Sequence, residues 1–172
     1  MDRRTAGRIE AFLDGSASLT RRKTDGANRI HHPLVLDTRQ DWAAALAYES
    51  ARHARYGRPV TVVILELTGP QDGRAVDRTA KSLADVIRAE GRETDRAVRF
   101  GALGFRLLLP ETGARAARTL VGRIERAFLA TGDGRSPGVE LAVEVAIPNR
   151  TGTLEDALTD AGARLATRTR ES

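Results

Sequence analysis

The chain reads as an α+β domain, with one central, mostly antiparallel sheet flanked by helices. Three observations in its 172 residues predict this. Apolar runs of strand length alternate with amphipathic segments of helix length. The run "VTVVILEL" at 60–67 is β-branched and aliphatic without interruption, as a strand covered on both faces must be. Two later strand-like runs follow one another directly around the short turn Gly101-Ala102-Leu103-Gly104. A hairpin set among crossover helices gives an antiparallel or mixed sheet rather than an all-parallel one.

The elements follow in order. Residues 5–14, "TAGRIEAFLD", place Ile9, Phe12 and Leu13 on one side of a short helix. Residues 15–31 form a polar linker carrying Gly, Ser, Asn and the basic cluster Arg21-Arg22-Lys23. The chain thus divides into an N-terminal helix and flexible basic linker, 1–31, and a folded domain, 32–170. In the domain, Asp37 or Thr38 caps a helix with Trp42, Ala45 and Leu46 inward, ending at Tyr56-Gly57 ahead of Pro59. The buried strand 60–67 and the turn "GPQDG" at 69–73 lead to a second helix. It sets Ala80, Leu83, Ala84 and Ile87 at helical spacing and stops at Gly91. "RAVRF" at 96–100 and "FRLLLP" at 105–110 make the hairpin. A third helix aligns Ala117, Leu120, Val121, Ile124 and Phe128 on one stripe, and "GDGRSPG" at 132–138 breaks the chain. In "VELAVEVAIP", 139–148, Val139, Leu141, Val143 and Val145 alternate with Glu140 and Glu144 on the other face. A last helix carries Leu154, Leu158, Ala161 and Leu165. The order α-β-α-β-β-α-β-α contains the βαββαβ pattern of ferredoxin-like palms.

Composition narrows the function classes. Lys and Arg total 28 against 23 Asp and Glu, and all the basic residues but Lys23 and Lys81 are Arg. A GC-rich coding bias accounts for that preference, and the excess is interleaved with acids along the helices. With four Phe, two Tyr and one Trp there are few rings to stack bases, so a nucleic-acid face is not expected. The chain has no cysteine, hence no disulfide and no thiolate metal site. His31 and His32 lack a third ligand beside them and His53 stands alone, so no metal site is expected. No signal peptide and no apolar run of the roughly 20 residues a membrane span needs are present, which points to a cytoplasmic protein without a membrane partner. No nucleophile–base pair, P-loop or zinc spacing stands out.

At the hairpin the sequence resembles the GGDEF family, the diguanylate cyclases that join two GTP molecules into cyclic di-GMP. The resemblance covers residues 32–167 and rests on "ARYGRPVTVVILEL", "RETDRAVRFG", "FRLLLPET" and the helix after them. It implies a nucleotidyl-cyclase palm. The family's signature turn, Gly-Gly-Asp/Glu-Glu-Phe, falls on Gly101, Ala102, Leu103, Gly104 and Phe105. Cyclisation is a phosphoryl transfer in which Mg²⁺ neutralises triphosphate charge, and Mg²⁺ needs hard oxygen ligands that Leu103 and Gly104 do not supply. The family's Asp-x-Asp-x-Phe-Lys falls on "ELTGPQ", 66–71, and its Tyr-x-Ala-Lys on "RLAT", 164–167, so both phosphate lysines are missing. Glu66 and Asp77 remain as remnants of the nucleotide pocket. The resemblance therefore implies a degenerate domain with no catalytic residues and no enzymatic activity.

One family site survives. Active members carry an inhibitory Arg-x-x-Asp that binds the product cyclic di-GMP, and Arg92-Glu93-Thr94-Asp95 stands at the matching distance from Gly101. A further arginine of that site falls on Arg123. Arg forks onto a phosphate or a guanine O6/N7 edge, and Asp accepts from guanine N1–H and N2–H, without a metal. The spacing alone is cheap, since Arg-x-x-Asp also occurs at Arg22/Asp25 and Arg74/Asp77. The resemblance implies cyclic di-GMP as the ligand, no other cofactor, and a homodimer or a partner signalling protein. The competing readings are a protein-interaction scaffold without nucleotide binding and a GTP-binding regulator using Glu66 and Asp77.

Overall fold

The computed structural model describes residues 34–69, 72–149 and 152–171. The helix expected over 5–14, the linker over 15–31 and the pair His31-His32 lie outside the described residues. Nine elements follow in chain order: β1 (Leu36–Asp37), α1 (Arg39–Tyr56), β2 (Val60–Thr68), α2 (Gly73–Glu90), β3 (Arg96–Phe100), β4 (Gly104–Pro110), α3 (Ala114–Ala130), β5 (Glu140–Ala146) and α4 (Leu154–Glu171). The sheet order is β1-β3-β4-β2-β5. Strand β1 runs parallel to β3, and every other neighbouring pair is antiparallel. Two split β-α-β units result: α2 carries the chain from β2 to β3 around β4, and α3 carries it from β4 to β5 around β2.

The local signals set the boundaries. The Thr38 hydroxyl accepts from the Asp41 amide at 3.1 Å, so Thr38 rather than Asp37 caps α1. Gly57 closes that helix at φ 64°, in the left-handed region a glycine enters without cost. Asp72 caps α2 through the Ala75 amide.

Two apolar layers sandwich the sheet. On one face Val63, Leu65 and Leu67 of β2 meet Leu83 and Ile87 of α2 and Ile124 and Phe128 of α3. On the other, Val62 and Ile64 meet Trp42 and Leu46 of α1 and Leu154, Ala161 and Leu165 of α4. Strand β2 is therefore buried on both faces, and each large aliphatic side chain contributes roughly 1.5–3 kcal/mol from burial. Strand β5 keeps the expected alternation: Leu141, Val143 and Val145 pack towards α3, while Ala142 faces α4. On that second face Arg164 and Arg168 hold Glu144.

The fold places the two ends of the β3–β4 hairpin apart. The turn after Phe100 lies at one end of the sheet, and the turn before Arg96, with Arg92 and Asp95, at the other. Gly101 follows Asp95 by six positions, about 20 Å of extended chain.

Candidate functional site

The hairpin turn is held by its own backbone and by an arginine. Gly101 has φ 75°, and the Leu67 amide donates to the Leu103 carbonyl at 3.0 Å. Arg99 donates to the Ala102 carbonyl from Nε at 3.2 Å and Nη2 at 2.6 Å, and also reaches Asp77 at 3.3 Å. Asp77 is thus a charge partner of the turn. Glu66, paired with Gly104 across the sheet, alternates with Val62 and Ile64 and belongs to the α1/α4 face, whereas α2 and Asp77 cover the opposite face. The structure does not bring Glu66 and Asp77 into one pocket.

Two cations stack on Phe100 at this end of the hairpin. The Arg106 guanidinium lies 4.5 Å from the centre of the Phe100 ring, and Arg39 lies 4.8 Å from the same ring. Burial pushes the Arg106 pKa down, and the Glu66 charge opposes that shift. One Arg106 nitrogen, Nη1, is buried without a partner among the described residues. Among the described residues no three His, Cys, Asp or Glu side chains gather to hold a metal ion. With Leu103 and Gly104 at the turn, and Glu66 and Asp77 on opposite faces of the sheet, the residues present do not gather the several oxygen ligands that Mg²⁺ requires.

The other end of the hairpin holds a cavity of about 180 Å³. Arg92 and Asp95 line it from the α2–β3 turn, Leu109 and Thr112 from β4 and its exit, and Ala116, Thr119, Leu120 and Arg123 from α3. Three residues singled out from the sequence, 31 positions apart at the extremes, meet here. Their roles differ from a solvated ion pair. Asp95 is 4% exposed and accepts the Arg92 amide at 2.9 Å, while its own amide donates to the Arg92 carbonyl at 3.0 Å. The carboxylate thereby closes the turn that presents Arg92, and the Arg92 guanidinium stays exposed. Burial raises the Asp95 pKa, opposed by the Arg92 amide and by the charges of Arg92 and Arg123.

Arg123 is braced from α2. It donates from Nε to the Glu90 carboxylate at 2.9 Å and from Nη2 to the Glu90 carbonyl at 2.7 Å. Sequence reasoning missed Glu90, although its place two residues ahead of Arg92 at the end of α2 was a usable signal. Thr112 and Thr119 were missed as well. The finished site sets an acceptor carboxylate between two guanidiniums over an apolar floor of Leu109 and Leu120.

No family model matches the chain, and no curated protein does. Solved structures do. Diguanylate cyclase SiaD from Pseudomonas aeruginosa, solved in complex with its activator SiaC, superposes with TM-score 0.65 at 23% identity. That match covers 80% of this chain and 56% of SiaD, so the chain spans little more than half of that protein. The active GGEEF domain of a diguanylate cyclase from Vibrio cholerae gives TM-score 0.65 at 17% identity, covering 80% and 92%. The GGDEF domain of DgcB from Caulobacter crescentus, in complex with c-di-GMP, gives 0.64 at 15%, covering 81% and 88%. Among the described residues no helix is long and apolar enough to cross a membrane. By its fold, a five-stranded palm between two helical layers, residues 34–171 form a GGDEF-like domain.

Proposed function

We propose that the chain is a catalytically silent GGDEF-like domain that works as a cyclic di-GMP effector through Arg92, Asp95 and Arg123. The observation that carries this reading is the convergence of those three side chains on one small cavity. Asp95 has one oxygen committed to the Arg92 amide, which leaves the other to accept from guanine N1–H and N2–H. Arg92 supplies an uncommitted fork for the phosphodiester. A cavity of about 180 Å³ is smaller than the roughly 300–1,000 Å³ of pockets that enclose whole ligands. It takes one base and leaves the rest of the dinucleotide exposed for a second protomer, which supports ligand-linked dimerisation. The silent active site rests on the donor set at the turn: Leu103, Gly104 and Glu66, with Asp77 on the opposite face of the sheet.

Isothermal titration of the full chain with cyclic di-GMP tests the reading. Binding in roughly the micromolar range is expected, lost in Arg92→Ala, together with a doubling of mass on size-exclusion chromatography. No heat with the wild-type chain sinks the effector role, and product formed from GTP and Mg²⁺ sinks the silent one. A second reading, a domain that acts by binding a signalling protein, is favoured by SiaD, which carries the same fold and was solved with its activator. Silence towards every guanine nucleotide would select it. The GTP-regulator reading loses support because Glu66 and Asp77 lie on opposite faces of the sheet.

A further inference from the structure

The solvent face of α3 carries a charge pattern that the other described helices do not. Arg115, Arg118, Arg123 and Arg126 stand there against one acid, Glu125. Several arginines elsewhere meet carboxylates, Arg52 with Glu49 and Glu111, Arg78 with Asp133, Arg96 with Asp37 and Arg164 with Glu144, although Arg39, Arg55 and Arg74 on α1 and α2 make no ion pair among the described residues. Arg123 is turned to Glu90, but Arg115, Arg118 and Arg126 make no ion pair among the described residues. Among the described residues Arg126 reaches only the Gly122 carbonyl of its own helix, at 3.0 Å. Like charges three apart on a helix cost a few tenths of a kcal/mol, about 0.2–0.5 each, and among the described residues only Arg123 has a carboxylate partner to offset it.

The shape of the face is as telling as its charge. At 100° per residue Arg115, Thr119, Gly122 and Arg126 fall on the centre of the exposed side, with Arg118 and Leu129 along one flank. A side chain added at Gly122 would meet open space, so the floor between the arginines is low. Leu129 is 55% exposed at the far end, about 21 Å from Arg115 along the axis.

We infer that this face docks an acidic helical segment of a partner protein, with carboxylates opposite Arg115, Arg118 and Arg126 and an apolar side chain over Leu129. The arginines recur at helical spacing, and the low floor lets a second helix approach to the usual 8–10 Å or so. A phosphate backbone leaves Leu129 without a partner. A second copy is a poor occupant, because its acidic helix start is already engaged. There Glu155 accepts from Ser50, and Asp156 exchanges hydrogen bonds with Thr153. The inference does not depend on cyclic di-GMP binding.

Fluorescence anisotropy on the full chain tests it. The probe is a labelled peptide of about 20 residues, long enough to span the face as a helix, with Glu at successive turns and one terminal Leu. Binding in about 50 mM salt is expected, weakened about tenfold or more in Arg118→Glu/Arg126→Glu and by about 300 mM salt. The charge-matched control Arg55→Glu/Arg74→Glu, on other helices, retains binding within about twofold. Equal loss in both variants, tighter binding of a DNA duplex than of the peptide, or no binding in low salt overturns the inference.

Discussion

Replacing Gly104 probes the turn where the GGDEF signature carries a carboxylate. A Cβ built on Gly104 falls 2.5 Å from the Phe100 carbonyl oxygen and 3.4–3.5 Å from the Glu66 oxygens. The first contact is with backbone, and Phe100 is fixed by pairing with Gly104 and by the guanidiniums of Arg39 and Arg106 on its ring. Relief requires the strands to part at the last rung of the hairpin. Overpacking of this kind costs about 1–3 kcal/mol, set against about 0.4–1 kcal/mol gained by stiffening the unfolded chain. Gly104→Ala is therefore expected to lose about 1–2 kcal/mol, and Gly104→Glu more, because a second carboxylate joins Glu66 in a half-buried site. For a domain of this size about 1 kcal/mol moves the thermal midpoint by roughly 2–4 °C. Urea unfolding followed by circular dichroism, with unchanged slope, measures the loss. Alanine at wild-type stability, or a Gly104→Glu chain that binds Mg²⁺ without losing stability, would refute this account of the turn.

Other outcomes follow from the same geometry. Gly69→Ala places a methyl 1.7 Å from the Gly138 carbonyl oxygen at φ 107°, and should cost about 3 kcal/mol or more in the same assay. Burial raises the Asp95 pKa above the ordinary 3.8, so the folded state holds that proton more tightly than the unfolded one. Its contribution to stability is complete below 3.8 and is lost as pH rises through the raised value. Asp95→Asn keeps an acceptor for the Arg92 amide and lacks this titration. The variant should therefore gain on the wild type as pH rises from 3.8 through the raised Asp95 pKa, and parallel stability profiles would contradict the burial argument. Protonation also removes the acceptor for guanine, so cyclic di-GMP affinity should fall on acidification through the Asp95 pKa, at a higher pH than for an ordinary aspartate.

Much of this molecule was legible in the order of its residues. The uninterrupted run 60–67 announced a strand buried on both faces, and the stripe Leu120-Ile124-Phe128 announced the core face of α3, because periodicity follows directly from which side is wet. Strand β1 was not legible: two residues, Leu36 and Asp37, carry no period and form a strand only because β3 offers an edge. The Glu66–Asp77 separation was hidden for a related reason. Closeness in sequence to one loop does not say which face of the sheet a side chain takes, whereas counting alternate residues from Val62 does. For the cavity, the family resemblance pointed to Arg92, Asp95 and Arg123, whereas the Arg-x-x-Asp spacing alone recurs at Arg22/Asp25 and Arg74/Asp77 and could not single them out. What sequence could not supply was the burial of Asp95, its bond to the Arg92 amide, or the brace from Glu90, since each depends on how α2 and α3 end against one another.

The account rests on cyclic di-GMP binding at the Arg92 end of the hairpin and not at the Gly101 end. Backbone-amide NMR of the ¹⁵N-labelled chain, titrated with cyclic di-GMP, tests that placement most directly. The expected result is shifts concentrated at Arg92–Asp95, Thr112 and Thr119–Arg123, with Gly101, Leu103 and Gly104 unmoved. An unperturbed spectrum, or shifts centred on Gly101–Gly104 and Asp77, would contradict it.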